Sequence, residues 1–240
     1  LQGRIGSPGP RKEDAMIAVV AAIVLTALAV GTAGALILAS PLDRGGATRL
    51  GLVAAAWLVT IAILAASGLF ARVVPAIGIA VIAPVVIGAF GALRVPALRT
   101  LALGTPLALL VVLHAGRLLG AFFLVLHTDG RLPATFARSA GWGDIAVAAL
   151  SLPVAWMALR RVPHWRAITL SWNVIGFIDL VAAVAIGLGS APGSPVRFIF
   201  EASAPNTMAT RPWMLIPGFL VPVYLLAHLA VFARIAARDR

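Results

Sequence analysis

Apolar residues in this chain neither alternate nor keep to one helical stripe; they run on for about twenty residues at a time, the length that crosses roughly 30 Å of hydrocarbon at 1.5 Å per residue. Short clusters of arginine, glycine and proline separate the runs. The pattern predicts seven membrane-spanning helices, near Ala15 to Ala39, Leu50 to Phe70, Val73 to Leu93, Gly104 to His127, Trp142 to Leu159, Ala167 to Leu188 and Trp213 to Ile235. Pro96 to Pro106 offers a short interfacial helix as an alternative start to the fourth. Prolines fall within the predicted third (Pro75, Pro84), fifth (Pro153) and seventh (Pro217, Pro222) spans, where each removes a backbone hydrogen bond and permits a kink. The fold class expected is therefore an all-α integral membrane protein, a seven-helix bundle forming one domain over residues 15–240. Residues 1–14 read as a polar tail, processed or added, and stay outside the fold argument.

Composition agrees with the pattern. The chain is 61% hydrophobic and 11% charged, with a mean hydropathy of +1.03. Soluble domains carry about 25% charged residues. The net charge of +11 does not indicate nucleic acid, because the arginines lie in the gaps between apolar runs rather than on one face of a folded domain. They act as topology markers and headgroup contacts. Arg44, Arg49, Arg94, Arg99, Arg160, Arg161, Arg166, Arg234, Arg238 and Arg240 collect on one side, against Arg72, Arg131, Arg138, Arg197 and Arg211 on the other once the tail is left aside. This predicts a cytoplasmic C-terminus and an external N-terminus. The only lysine, Lys12, lies outside any span, which excludes a retinal Schiff base. Without cysteine there is no disulfide, thiolate metal site or cysteine nucleophile.

Few polar groups remain inside the predicted spans: His114 and Arg117 in the fourth, Asp144 at the head of the fifth, Asn173 and Asp179 in the sixth, Tyr224 and His228 in the seventh. A buried arginine costs roughly 2.5 kcal/mol or more at mid-bilayer and normally has a partner. Counting residues from the inner ends puts Arg117 and Asp179 at one depth, so the two are expected to form an ion pair or share water in one cavity. His228 and Asn173 match in depth in the same way, with Tyr224 one turn away. Asp144 follows Gly141-Trp-Gly and reads chiefly as a helix N-terminal cap, with an acid at an outer vestibule as the alternative. Gly141 and Gly176 each stand three residues before an aspartate, a local echo too short to establish a repeat.

Three function classes follow. The leading one is a transporter or small-solute binding component with a polar cavity in helices four to seven, Arg117 holding an anionic or polar group and Asp179 its counter-charge. The second is an accessory subunit of a membrane complex, or a homo-oligomer, using Gly116-x-x-x-Gly120 as a contact face. The third is an intramembrane haem or metal enzyme built on His114 and His228, whose residue counts separate them by about 5 Å along the membrane normal; Asp179 would complete a zinc set. No phosphate loop or serine elbow is present. The string from Arg117 through Gly143-Asp144, Trp172-Asn173 and Pro212-Trp213 resembles the multi-pass proteins of unknown function found in bacteria with GC-rich genomes. That resemblance implies a bacterial inner membrane and no particular activity.

Overall fold

A computed structural model describes residues 12–201 and 206–237. Most of the polar tail, and with it Arg4 and Arg11, lies outside them, as do Arg238 and Arg240. Among the described residues the chain is helical without strands, and seven helices are long and apolar enough to cross a membrane. We number these α1 (Lys12–Leu38), α2 (Arg44–Ala66), α3 (Pro75–Arg94), α4 (Leu107–Thr128), α5 (Ala134–Arg160), α6 (Trp165–Ser190) and α7 (Ile216–Ala237).

Local chemistry fixes where they begin. α2 starts at Arg44, six residues before the predicted Leu50, because the Asp43 carboxylate accepts from the Gly46 amide at 2.9 Å and caps the first turn. Pro75 is the first residue of α3 rather than an interruption of it, a position where its missing N–H costs nothing. Pro96–Gly104 forms a separate short helix, so α4 begins only at Leu107. Arg234, near the end of α7, donates to the Leu103 carbonyl at 2.8 Å and to that of Thr105, tying the short helix to the bundle.

The largest departure from expectation is α5, which starts at Ala134 rather than Trp142. Its buried positions Phe136, Ala137, Ala140, Gly141, Asp144, Val147, Ala148 and Ser151 recur every three or four residues from its first turn. Glu201 reaches across from the last connection to accept from the Thr135 amide at 3.1 Å and from the Thr135 hydroxyl at the start of this helix. That hydroxyl bond, more than anything else, holds the Glu201 carboxyl below its ordinary range.

α4 and α7 are the most enclosed helices, and α1 to α3 the least. α5 packs on α4 and α6, while α7 lies against α3, α4 and α6. Two irregular stretches mark the central pair. Leu113–Leu119 in α4 is wound as a 3-10 helix, and α7 opens with a π turn over Ile216–Leu220 that contains Pro217. The Trp57 indole donates to the Gly218 carbonyl in that turn at 2.8 Å. Val196–Phe200 is non-helical and leaves Val196, Phe198 and Phe200 exposed, with the Phe198 and Ile199 amides both on the Gly189 carbonyl. It neither lines the cavity described below nor dips toward it.

Candidate functional site

At three residues per turn, positions three apart eclipse one another. The 3-10 stretch of α4 therefore stacks His114, Arg117 and the adjoining Gly120 in one line facing the bundle interior. Arg117 is 1% exposed. Its Nε donates to Asp144 Oδ1 on α5 at 2.6 Å, its Nη1 to the Gly176 carbonyl on α6 at 3.0 Å, and its Nη2 to Asp179 Oδ2 on α6. One guanidinium thus holds two carboxylates and a carbonyl from two helices, a use of its planar fork that a lysine could not reproduce. Asp144 stands ten residues inside α5, Asp179 eleven from the end of α6, and Arg117 eleven from the end of α4, so all three sit roughly 15 to 17 Å below the same face of the bundle.

This placement overturns the capping role read for Asp144. Ten residues into α5 there are no free amides for it to accept from; its partner is Arg117. The anion-holding role read for Arg117 also needs correction, because its fork is already engaged by two acids.

Glycine makes the convergence possible. A Cβ on Gly120 would lie 2.6 Å from Asp144 Cβ and 2.7 Å from the Gly141 carbonyl, and a Cβ on Gly143 would collide with the Asp179 carboxylate. A Cβ on Gly116 would meet the Tyr224 hydroxyl and Leu28 of α1. Gly116-x-x-x-Gly120 is consequently spent on packing within the chain, not on an outer contact face. The two Gly-x-x-Asp echoes acquire a geometric sense as well: both deliver an acid to the same arginine, and Gly176 presents its carbonyl to it.

A second cluster adjoins the first. His228 Nδ1 bonds Asn173 Oδ1 at 2.8 Å, and Asn173 Nδ2 donates to the His228 carbonyl at 3.1 Å. The His114 ring lies 4.0 Å from that of His228, with Trp172 and Tyr224 at 5.2 and 5.3 Å. The histidines are closer than residue counting suggests because α4 begins three residues later than predicted. Neither nitrogen of His114 meets a protein hydrogen-bond partner among the described residues. The rings stand too close to flank a metal: nitrogens each about 2.0 Å from an ion hold two ring centroids roughly 5 Å apart in tetrahedral geometry and over 6 Å apart as trans haem ligands. Among the described residues no group of three or more His, Asp or Glu is arranged to hold a metal ion, and Asp179 is turned to Arg117. Replacing Asn173 by leucine is expected to leave His228 Nδ1 unpartnered and to lower stability by about 1–3 kcal/mol, read by thermal unfolding.

Beside these clusters lies a cavity whose walls are mainly apolar, where the sequence suggests a polar one. It measures about 100 Å³ and lies between α3, α4, α5, α6 and α7. Its walls are apolar, including Ile77, Val81, Phe123, Leu180 and Val184, with Pro217 of the π turn at one side. Ser190, Asn206 and Thr207 line it near the connections, and among the described residues Asp144 is the one ionisable residue in its lining. The Thr207 hydroxyl donates to the Arg131 carbonyl at 2.8 Å, fastening the last connection over the α4–α5 turn.

Residues 74–236 match the family described as "Domain of unknown function (DUF8737)", a span that takes in α3 to α7 and every residue of both clusters. No curated protein and no solved structure matches.

Proposed function

We propose that this chain, which belongs to the DUF8737 family, is a multi-pass membrane protein that binds a small solute in the cavity above Asp144, as a transporter or as the binding component of one. The observation that carries the reading is the meeting of an apolar cavity with a buried charged trio: Asp144 belongs to both. An apolar pocket with one convergent polar group is the usual form of a small-molecule site. At about 100 Å³ it is smaller than the roughly 150 Å³ cavity that takes benzene, so it suits a solute of at most one ring. The arginine distribution favours the C-terminus in the cytoplasm, which opens the cavity toward the outside. The resemblance to proteins of GC-rich bacteria favours an inner membrane. The packing of Gly116 and Gly120 against Tyr224 and Asp144 within the chain, and the 4.0 Å between the His114 and His228 rings, support this reading over the accessory and the haem or metal ones.

The test uses purified protein in detergent and three one-ring probes of different charge: benzyl alcohol, benzoate and N-methylpyridinium. At least one is expected to raise the unfolding temperature, and Ala183→Trp, or the milder Val184→Phe, to abolish that rise by filling the cavity. If no probe stabilises the protein, or both cavity-filling variants respond as the parent does, the solute-site reading fails.

A further inference from the structure

We infer that the cavity takes an organic monocation with an apolar body, and that its arrival displaces one proton from the trio of Arg117, Asp144 and Asp179. This rests on the solute-site reading and adds the charge of the solute and its coupling to protons.

The argument is one of charge. Arg117 is the cation the structure sets against both carboxylates, and it contributes a single positive charge. Two ionised acids, Asp144 buried and Asp179 half-buried, would leave one negative charge without a counter-charge, at a cost of several kcal/mol. The trio is neutral only when one more positive charge is present. With the cavity empty that charge is a proton on a carboxyl; with a cation seated it is the ligand. Asp144 is the member placed to make the exchange. It lines the cavity, its side chain is 6% exposed, and Arg117 engages one of its oxygens through Nε. Asp179 is absent from the cavity lining, with Oδ2 held by Arg117 and Oδ1 lying toward Gly143. The charges balance: one cation enters, the Asp144 O–H bond breaks, and its proton leaves to water.

Other titratable groups near the trio do not take this part. His114 on α4 and His228 on α7 face Arg117, but neither lines the cavity, and His228 Nδ1 is tied to Asn173. Tyr224 on α7 stands beside Asp144, outside the lining and near Thr32 of α1. α3 offers only apolar side chains such as Ile77 and Val81. The walls favour an organic ligand over an inorganic ion, because the oxygens of Ser190, Asn206 and Thr207 lie at the connections, away from Asp144, and the lining between is apolar, so no shell surrounds an ion to replace its water.

N-methylpyridinium is the deciding probe, since its charge is fixed and any proton released comes from the protein. Calorimetric titration in buffers of different ionisation enthalpy is expected to show about one proton released per cation bound. Asp144→Asn leaves one cation and one carboxylate, a neutral pair, and is expected to stay folded. It should bind the probe roughly thirtyfold more weakly or worse, as loss of one member of a buried charge pair entails, and release no proton. The proton count on the parent protein stands alone should the variant prove unstable. Binding of N-methylpyridinium without proton release, or undiminished binding to Asp144→Asn, overturns the inference. Preference for benzoate or benzyl alcohol overturns it while leaving the solute site intact; failure of all three probes overturns both.

Discussion

Arg117→Leu is expected to abolish the stable fold. The substitution removes the group that, among the described residues, satisfies both Asp144 and Asp179, and leaves Asp144 buried and Asp179 half-buried without it. Breaking one buried pair by deleting a partner costs about 3–5 kcal/mol, and here two carboxyl groups lose their shared partner at once. Net stabilities run to about 5–15 kcal/mol in all, so the loss is comparable with the whole. The expected outcome is collapse of the monodisperse fraction on size exclusion. Arg117→Lys should fall between the two, because an ammonium keeps the charge but cannot place donors on Asp144, Asp179 and the Gly176 carbonyl together. Equal behaviour of Arg117→Leu and the parent protein would show that the trio does not hold the helices.

The second large effect comes from a residue without charge. In Gly120→Ala the added methyl has no free space: Asp144 Cβ lies 2.6 Å away, the Gly141 carbonyl 2.7 Å and Gly141 Cα 3.3 Å. Backbone atoms cannot swing aside as a side-chain tip can, so α4 and α5 must separate. That separation carries Asp144 away from Arg117, and the loss should reach the upper end of the roughly 1–3 kcal/mol typical of overpacking. Gly31→Ala is the matched control. Nothing lies within 4 Å of a Cβ there, and alanine gains up to about 1 kcal/mol of helix propensity. Thermal unfolding should therefore fall for Gly120→Ala and hold or rise for Gly31→Ala. A common response from both would mean that α4 and α5 are not held in such close contact.

The sequence shows the seven helices because bilayer-length apolar runs are a strong signal that needs no tertiary information. It also shows the Arg117–Asp179 and Asn173–His228 juxtapositions, since residue counts along rigid helices convert to depth. Depth counting fails where a boundary slips. Asp144 is misread because Ala134 to Gly141 is less apolar than the rest of α5 and passes for a loop, although Phe136, Ala137, Ala140 and Gly141 already carry the buried helical period into Asp144. The interval from His114 to His228 is overestimated for a similar reason, the turn at Thr105 and Pro106 that delays α4. The glycine contacts and the apolar walls of the cavity are invisible in the sequence for another cause: both depend on how closely helices distant in the chain approach, and no spacing along one helix encodes that distance.

The central claim is that one arginine holds acids from two helices, and charge compensation tests it most directly. Arg117→Met should be severely destabilised, whereas Arg117→Met combined with Asp144→Asn and Asp179→Asn removes every buried charge and should recover much of the loss, since uncharged replacements of a buried ionic group are often well tolerated. Thermal unfolding of the single and triple variants under identical conditions supplies the comparison. Recovery in the triple variant is the predicted result; a triple variant no more stable than Arg117→Met would contradict the account.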